Sequence, residues 1–127
     1  MVHTFNFTFD PRFTPLLRVG GITPARSAVV VDDEMLRIRF GLLTLDTPLD
    51  NIVEASVTGP HQPLKAIGVR MSFTDRGLTF GTSVERMVCM QFREPVRARP
   101  FDLASHPGLS LSVERPQELV GLLNGAS

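Results

Sequence analysis

The chain has 127 residues, of which 43% are apolar and 20% charged, with a formal net charge of zero. That length suits one domain with its own hydrophobic core, and the balance excludes a disordered chain. Zero net charge excludes a global field drawing the protein toward nucleic acid or anionic membrane, and a single cysteine, Cys89, excludes an internal disulfide.

The N-terminus lacks the basic and apolar regions of a signal peptide, and no apolar run approaches the roughly 18–20 residues that span a bilayer. A soluble cytoplasmic protein is the expectation. Lys65 is the only lysine, and Trp and Tyr are absent, which removes two residue types favoured for stacking and interface anchoring.

Phe5, Phe7 and Phe9 alternate with Asn6 and Thr8, the period of a half-buried strand. Asp10-Pro11 interrupts it. Leu16 to Val19 reads as a second strand, and Thr23 to Arg26 as a loop. Ala28–Val31 and the alternating set Leu36, Ile38, Phe40 then flank Asp32-Asp33-Glu34, which predicts an antiparallel hairpin across an acidic turn.

Gly41 predicts a bulge or bend before Leu42–Leu45, and Pro48–Ile52 a turn or a single helical turn. Val53, Ala55 and Val57 form the next alternating face, followed by a loop at Gly59–Pro63. Ile67, Val69, Met71 and Phe73 lead into a tight turn at Thr74–Gly77, with Leu78 and Phe80 on the return strand.

Met87–Arg93 is a further strand, which Glu94-Pro95 should end. Arg97–Gly108 reads as a long irregular connection, and Leu109–Val113 as the last strand. Pro116 in the first turn, Glu118 near the positive dipole end, and the stripe Leu119, Val120, Leu122, Leu123 before Asn124-Gly125 predict one C-terminal helix. A helix this short must dock on the sheets to be stable.

Residues from about Ser27 to Leu123 resemble the bacterial pleckstrin-homology-like (PH-like) domains. The carriers are the hairpin Val29–Gly41, the segment Pro48-Leu49-Asp50-Asn51-Ile52, and the closing run Leu111–Leu123. The resemblance implies a mainly β fold: a PH-like barrel or bent two-sheet sandwich of about seven antiparallel strands, with the helix plugging one end. Residues 1–127 then form one domain, with an N-terminal β extension (1–26), a β body (27–114) and a C-terminal helix (115–124). Arg115 departs from the pattern, because a side-chain acceptor would cap the helix better. The family carries no universal catalytic residues. Its phosphoinositide-binding relatives look basic around the first hairpin turn, whereas Asp32-Asp33-Glu34 would repel a phosphate, which argues against that mode here.

His3, His61 and His106 show no ligand spacing and read as exposed terminal and loop residues, so no metal or cofactor is expected. Cys89 reads as a small, partly buried apolar residue with no evident base, so no catalytic residue is assigned. The acidic turn lacks the spaced oxygens of a calcium loop.

Arginine carries the remaining chemistry. Arg37 and Arg39 share a strand face, Arg70 falls on an outer face, and Arg93, Arg97 and Arg99 cluster before the long connection. The ordinary role of such residues is as solvated charges; the functional one is a site for an anion or an acidic protein. The leading expectation is a non-enzymatic protein-binding module, with pairing of the N-terminal strand to a second copy as one mode. The alternatives are a carrier of a small apolar ligand, lined by some of the nine Phe and five Met, and an enzyme using Cys89 or a histidine.

Overall fold

A computed structural model describes residues 2–59, 68–71, 77–82, 86–99 and 105–125. The first sheet contains β1 (His3–Asn6), β2 (Ser27–Val31), β3 (Met35–Phe40) and β4 (Leu43–Pro48), in that order and antiparallel throughout. The second contains β5 (Ile52–Thr58), β6 (Gly68–Met71), β7 (Leu78–Gly81), β8 (Met87–Val96) and β9 (His106–Leu111), in the order β5-β8-β9-β7-β6. A six-residue helix α1 (Thr14–Val19) follows β1, and α2 (Pro116–Gly125) closes the chain. Among the described residues the sheets do not close into a barrel.

The resemblance implied about seven strands, all antiparallel. The described residues form nine, and β7 and β9 run parallel, Leu78 opposite Leu109 and Phe80 opposite Leu111. The N-terminal strand is an integral member of the first sheet, hydrogen-bonded to β2 along its whole length.

The β2–β3 hairpin forms as its alternation predicts. Ser27, Val29 and Val31 on β2 and Leu36, Ile38 and Phe40 on β3 all point inward. The five apolar ones join one buried cluster with Leu78 and Phe80 of β7, Val88, Met90 and Phe92 of β8, and Leu119 and Leu123 of α2. Phe40 stacks on Phe80 across the two sheets, with centroids 4.7 Å apart and planes 10° apart, while Phe7 tilts against Phe40 at 5.0 Å.

Several segments depart from the sequence reading, each for a physical reason. Leu16–Val19 is helical, not extended. Pro15 supplies a helical φ in the first turn, and the Asp10 carbonyl accepts from the Phe13 and Thr14 N–H groups. On β5 a bulge between Ile52 and Glu54 shifts the alternation, so Ile52 and Ala55 are buried and Val53 is exposed. Strand β8 passes through Glu94-Pro95 to Val96. The ladder to β9 is interrupted between Gln91 and Val96, and the Asn51 side chain instead takes both backbone groups of Glu94, at 2.9 and 3.1 Å, so Pro95 costs no ladder bond. Because β8 continues, β9 begins at His106, opposite Val96.

Both sheet margins are tied. Phe7 bridges Val113, and Thr44 bridges Arg99. Beside β1, Thr8 N–H donates to the Ser112 carbonyl, Glu114 N–H to the Asn6 carbonyl, and Arg115 to the Thr4 carbonyl. A second copy pairing with β1 would have to displace these bonds. Arg115 adopts φ +51° and lays its guanidinium 4.7 Å from the Phe5 ring centroid while donating to Glu118 Oε2 at 2.9 Å. It clasps β1 to α2 in place of capping the helix.

Gly41 follows Phe40 with φ +63°, and a Cβ there would lie 3.0 Å from Ile22 Cγ1 and 3.1 Å from the Gly21 carbonyl oxygen. Gly41→Ala therefore loses about 1–3 kcal/mol of unfolding free energy in urea denaturation, and an unchanged midpoint would refute the assignment. Ser27 is buried with no hydrogen-bond partner for its Oγ. Ser27→Ala removes that desolvated hydroxyl, so the same measurement should show a gain of about 1 kcal/mol.

Candidate functional site

The alternation that buries Leu36, Ile38 and Phe40 turns Arg37 and Arg39 to the outer face of the first sheet. Register then decides what stands beside them. Arg39 lies opposite Ala28 on β2 and Thr44 on β4, and Thr44 in turn pairs with Arg99 through bonds of 2.7 and 2.8 Å. Residues directly opposite in antiparallel pairing share a face, and strands sit about 4.8 Å apart. Arg39 and Arg99 therefore flank Thr44 in one cross-strand row about 10 Å wide. Arg97, two residues before Arg99 and likewise exposed, extends the basic strip, while Ala98 between them is buried.

A groove of about 380 Å³ runs over this face, with Ala28, Val30 and Thr44 among its lining residues and Arg26, Arg37, Arg39 and Asp46 around them. Among the described residues Arg26, Arg39, Arg97 and Arg99 make no ion pair, and Arg37 reaches Asp32 at 3.3 Å. One carboxylate, Asp46, thus faces three groove arginines, with Arg99 beyond Thr44.

Arg93 and Arg70 do not join this strip. Arg93 lines a separate groove of about 410 Å³ with Pro48, Asp50, Asn51, Glu94 and Pro95, where two carboxylates outnumber it. Arg70 is on β6, the outer strand of the second sheet, opposite Thr79. Arg26, which the sequence marks only as a loop residue, enters because its carbonyl accepts the Gly41 N–H at 3.1 Å, which fixes the segment before β2 against the β3–β4 turn. No local pattern marks that contact.

The acidic turn at the far end of the hairpin is structural. Asp32 Oδ1 accepts the Glu34 and Met35 N–H groups at 2.8 and 2.7 Å, and Oδ2 meets Arg37. These two N–H groups, followed by Arg37, hold the Asp32 carboxyl below its ordinary value. Asp10 is lowered likewise, chiefly by the Arg12 side chain.

Two readings of single residues change. His106 is not an exposed loop residue: it is buried on β9, where the extended β8 pairs with it, and His3 lies on β1. His61 lies outside the described residues. Cys89 sits on β8 with its Sγ 3.0 Å from Ser110 Oγ and 3.2 Å from Thr58 Oγ1. Ser110 is its cross-strand neighbour, and His106 lies four residues further along β9, about 13 Å away, so the two do not form a nucleophile–base pair. Among the described residues no group of three His, Cys, Asp or Glu is placed to hold a metal, and no helix is long and apolar enough to cross a membrane.

A lowered carboxylate stabilises the fold fully above the ordinary pKa and loses that contribution as pH falls through its lowered value. Asp32→Asn keeps the Oδ1 acceptor and removes the charge. Thermal melts from pH 6 to 3 should therefore show a shallower acid loss than in the native chain, whereas an identical pH profile would dismiss the turn's role.

No protein-family model matches the chain, and comparison with curated proteins and with solved structures gives no match either.

Proposed function

We propose that this chain is a non-enzymatic interaction module that binds an acidic segment of a partner protein along the outer face of its first sheet. The observation that carries this reading is the row Arg39–Thr44–Arg99, joined by Arg26 and Arg37 around a small apolar floor. Guanidinium forks held at strand spacing suit carboxylates, which accept two parallel N–H bonds each. Arg37 and Arg39, borne on β3, also hold their forks with less conformational freedom than a loop would allow.

An acidic polypeptide suits the site better than nucleic acid does. The chain has no overall positive charge and no Trp or Tyr on which bases could stack. Ala28 and Val30 offer room for the aliphatic parts of an extended peptide. Two sheets followed by a C-terminal helix are also compatible with a PH-like module. The parallel β7–β9 pair lies outside the all-antiparallel pattern which that resemblance implies.

Fluorescence anisotropy with a labelled Glu-rich peptide tests the reading. The native chain should bind in a salt-sensitive manner, and Arg39→Ala or Arg99→Ala should each weaken binding about tenfold or more. Arg93→Ala, in the acidic groove, should leave it unchanged. Equal affinity of native and Arg39→Ala proteins would sink the proposal, and a lipid-sized adduct in the native mass spectrum would favour the carrier reading instead.

A further inference from the structure

The first sheet ends, on the side away from the acidic turn, in a set of protruding apolar side chains. Val19 is 88% exposed, Leu16 68% and Leu42 58%. Leu16 and Val19 stand one helical turn apart on α1, at i and i+3, while Leu17 between them is buried. Leu42 sits in the β3–β4 turn, close enough to Gly21 that a Cβ there would lie 3.7 Å from Leu42 Cγ, and Gly21 follows Val19 by two residues. The three side chains therefore form one apolar tip.

Cations stand beside it. Arg12 is held by Asp10 at 2.8 Å and Arg37 by Asp32 at 3.3 Å, whereas Arg18, Arg26 and Arg39 make no ion pair among the described residues. Arg18 and Arg26 are exposed beside the tip, and Arg39 lies next to the Phe40 end of β3. The carboxylates Asp32, Asp33 and Glu34 lie at the opposite end of β2, five residues or about 17 Å away. A chain of zero net charge is thus polarised along this hairpin.

We propose that this end of the molecule docks on an anionic phospholipid bilayer, with Leu16, Val19 and Leu42 entering the interface and Arg18 and Arg26 meeting lipid phosphates. Protruding apolar side chains flanked by cations match the two forces that hold a protein at such a surface, burial in the acyl boundary and attraction to anionic headgroups. A second copy fits poorly, because a two-fold contact through this tip would bring arginines against arginines. A rigid protein partner fits poorly too: three convex side chains cover far less area than a stable interface needs. The acidic turn, facing away, would orient the molecule by repulsion from the same surface.

Vesicle flotation with the full chain tests this separately from peptide binding. The native protein should float with phosphatidylcholine vesicles containing phosphatidylserine and not with phosphatidylcholine alone. Val19→Ser combined with Leu42→Ser should weaken flotation about tenfold or more while leaving acidic-peptide anisotropy unchanged, because the tip's charge is kept. Arg18→Gln should weaken flotation independently. All three positions are exposed, so circular dichroism should show native folding. Failure of the native chain to float, equal flotation with neutral vesicles, or undiminished flotation of the serine variant would each overturn the proposal. So would a dimer in sedimentation that the serine variant dissolves without any lipid binding.

Discussion

The contact between Phe40 and Phe80 is where the two sheets become one molecule. Phe40 ends β3, and Phe80 lies on β7, between its antiparallel partner β6 and its parallel partner β9. A stacked aromatic pair contributes about 0.5–1.5 kcal/mol beyond the area it buries, and Phe7 adds a third ring from the other margin of the first sheet. The backbone must turn sharply right after Phe40, and Gly41 makes that possible with φ +63°. The basic face depends on the same junction. Gly41 N–H holds the Arg26 carbonyl, and the β4 strand that follows brings Thr44 between Arg39 and Arg99.

Small domains with open sheets must deal with unpaired strand margins. Here side chains and irregular backbone do so. The segment 112–115 occupies the outer groups of β1, and Asn51 takes both backbone groups of Glu94 just beyond the last β5–β8 pair, Ile52 with Phe92. Arg115 adds its contact with Phe5 at the cost of a left-handed φ, commonly about 1 kcal/mol or more for a residue with a side chain. These contacts resist further strand addition at the margins they cover.

What the sequence made legible follows from how local each signal is. The hairpin across Asp32-Asp33-Glu34 and the helix after Pro116 were readable because alternation, turn residues and helix stripe lie within a dozen residues. Leu16–Val19 misled, since four residues with three apolar side chains fit either period, and only Leu17 packing inward separates them. The continuation of β8 past Pro95 was out of reach, because it depends on an asparagine 43 residues away. The burial of His106 follows from that continuation and was hidden with it. Of the arginines, the spacing of Arg37 with Arg39 and of Arg97 with Arg99 was local; the adjacency of Arg99 to Arg39 rests on a long-range bridge that no spacing announces.

At the second sheet's edge, the Asn124 side chain accepts the Ala55 N–H and donates to the Ala55 carbonyl, both at 3.0 Å, standing in for a strand residue. An aspartate in its place would have no N–H to offer the Ala55 carbonyl and would set a negative charge against it. The seam between α2 and β5 is thus polar at this point: one side-chain amide does for Ala55 what a neighbouring strand's backbone would do.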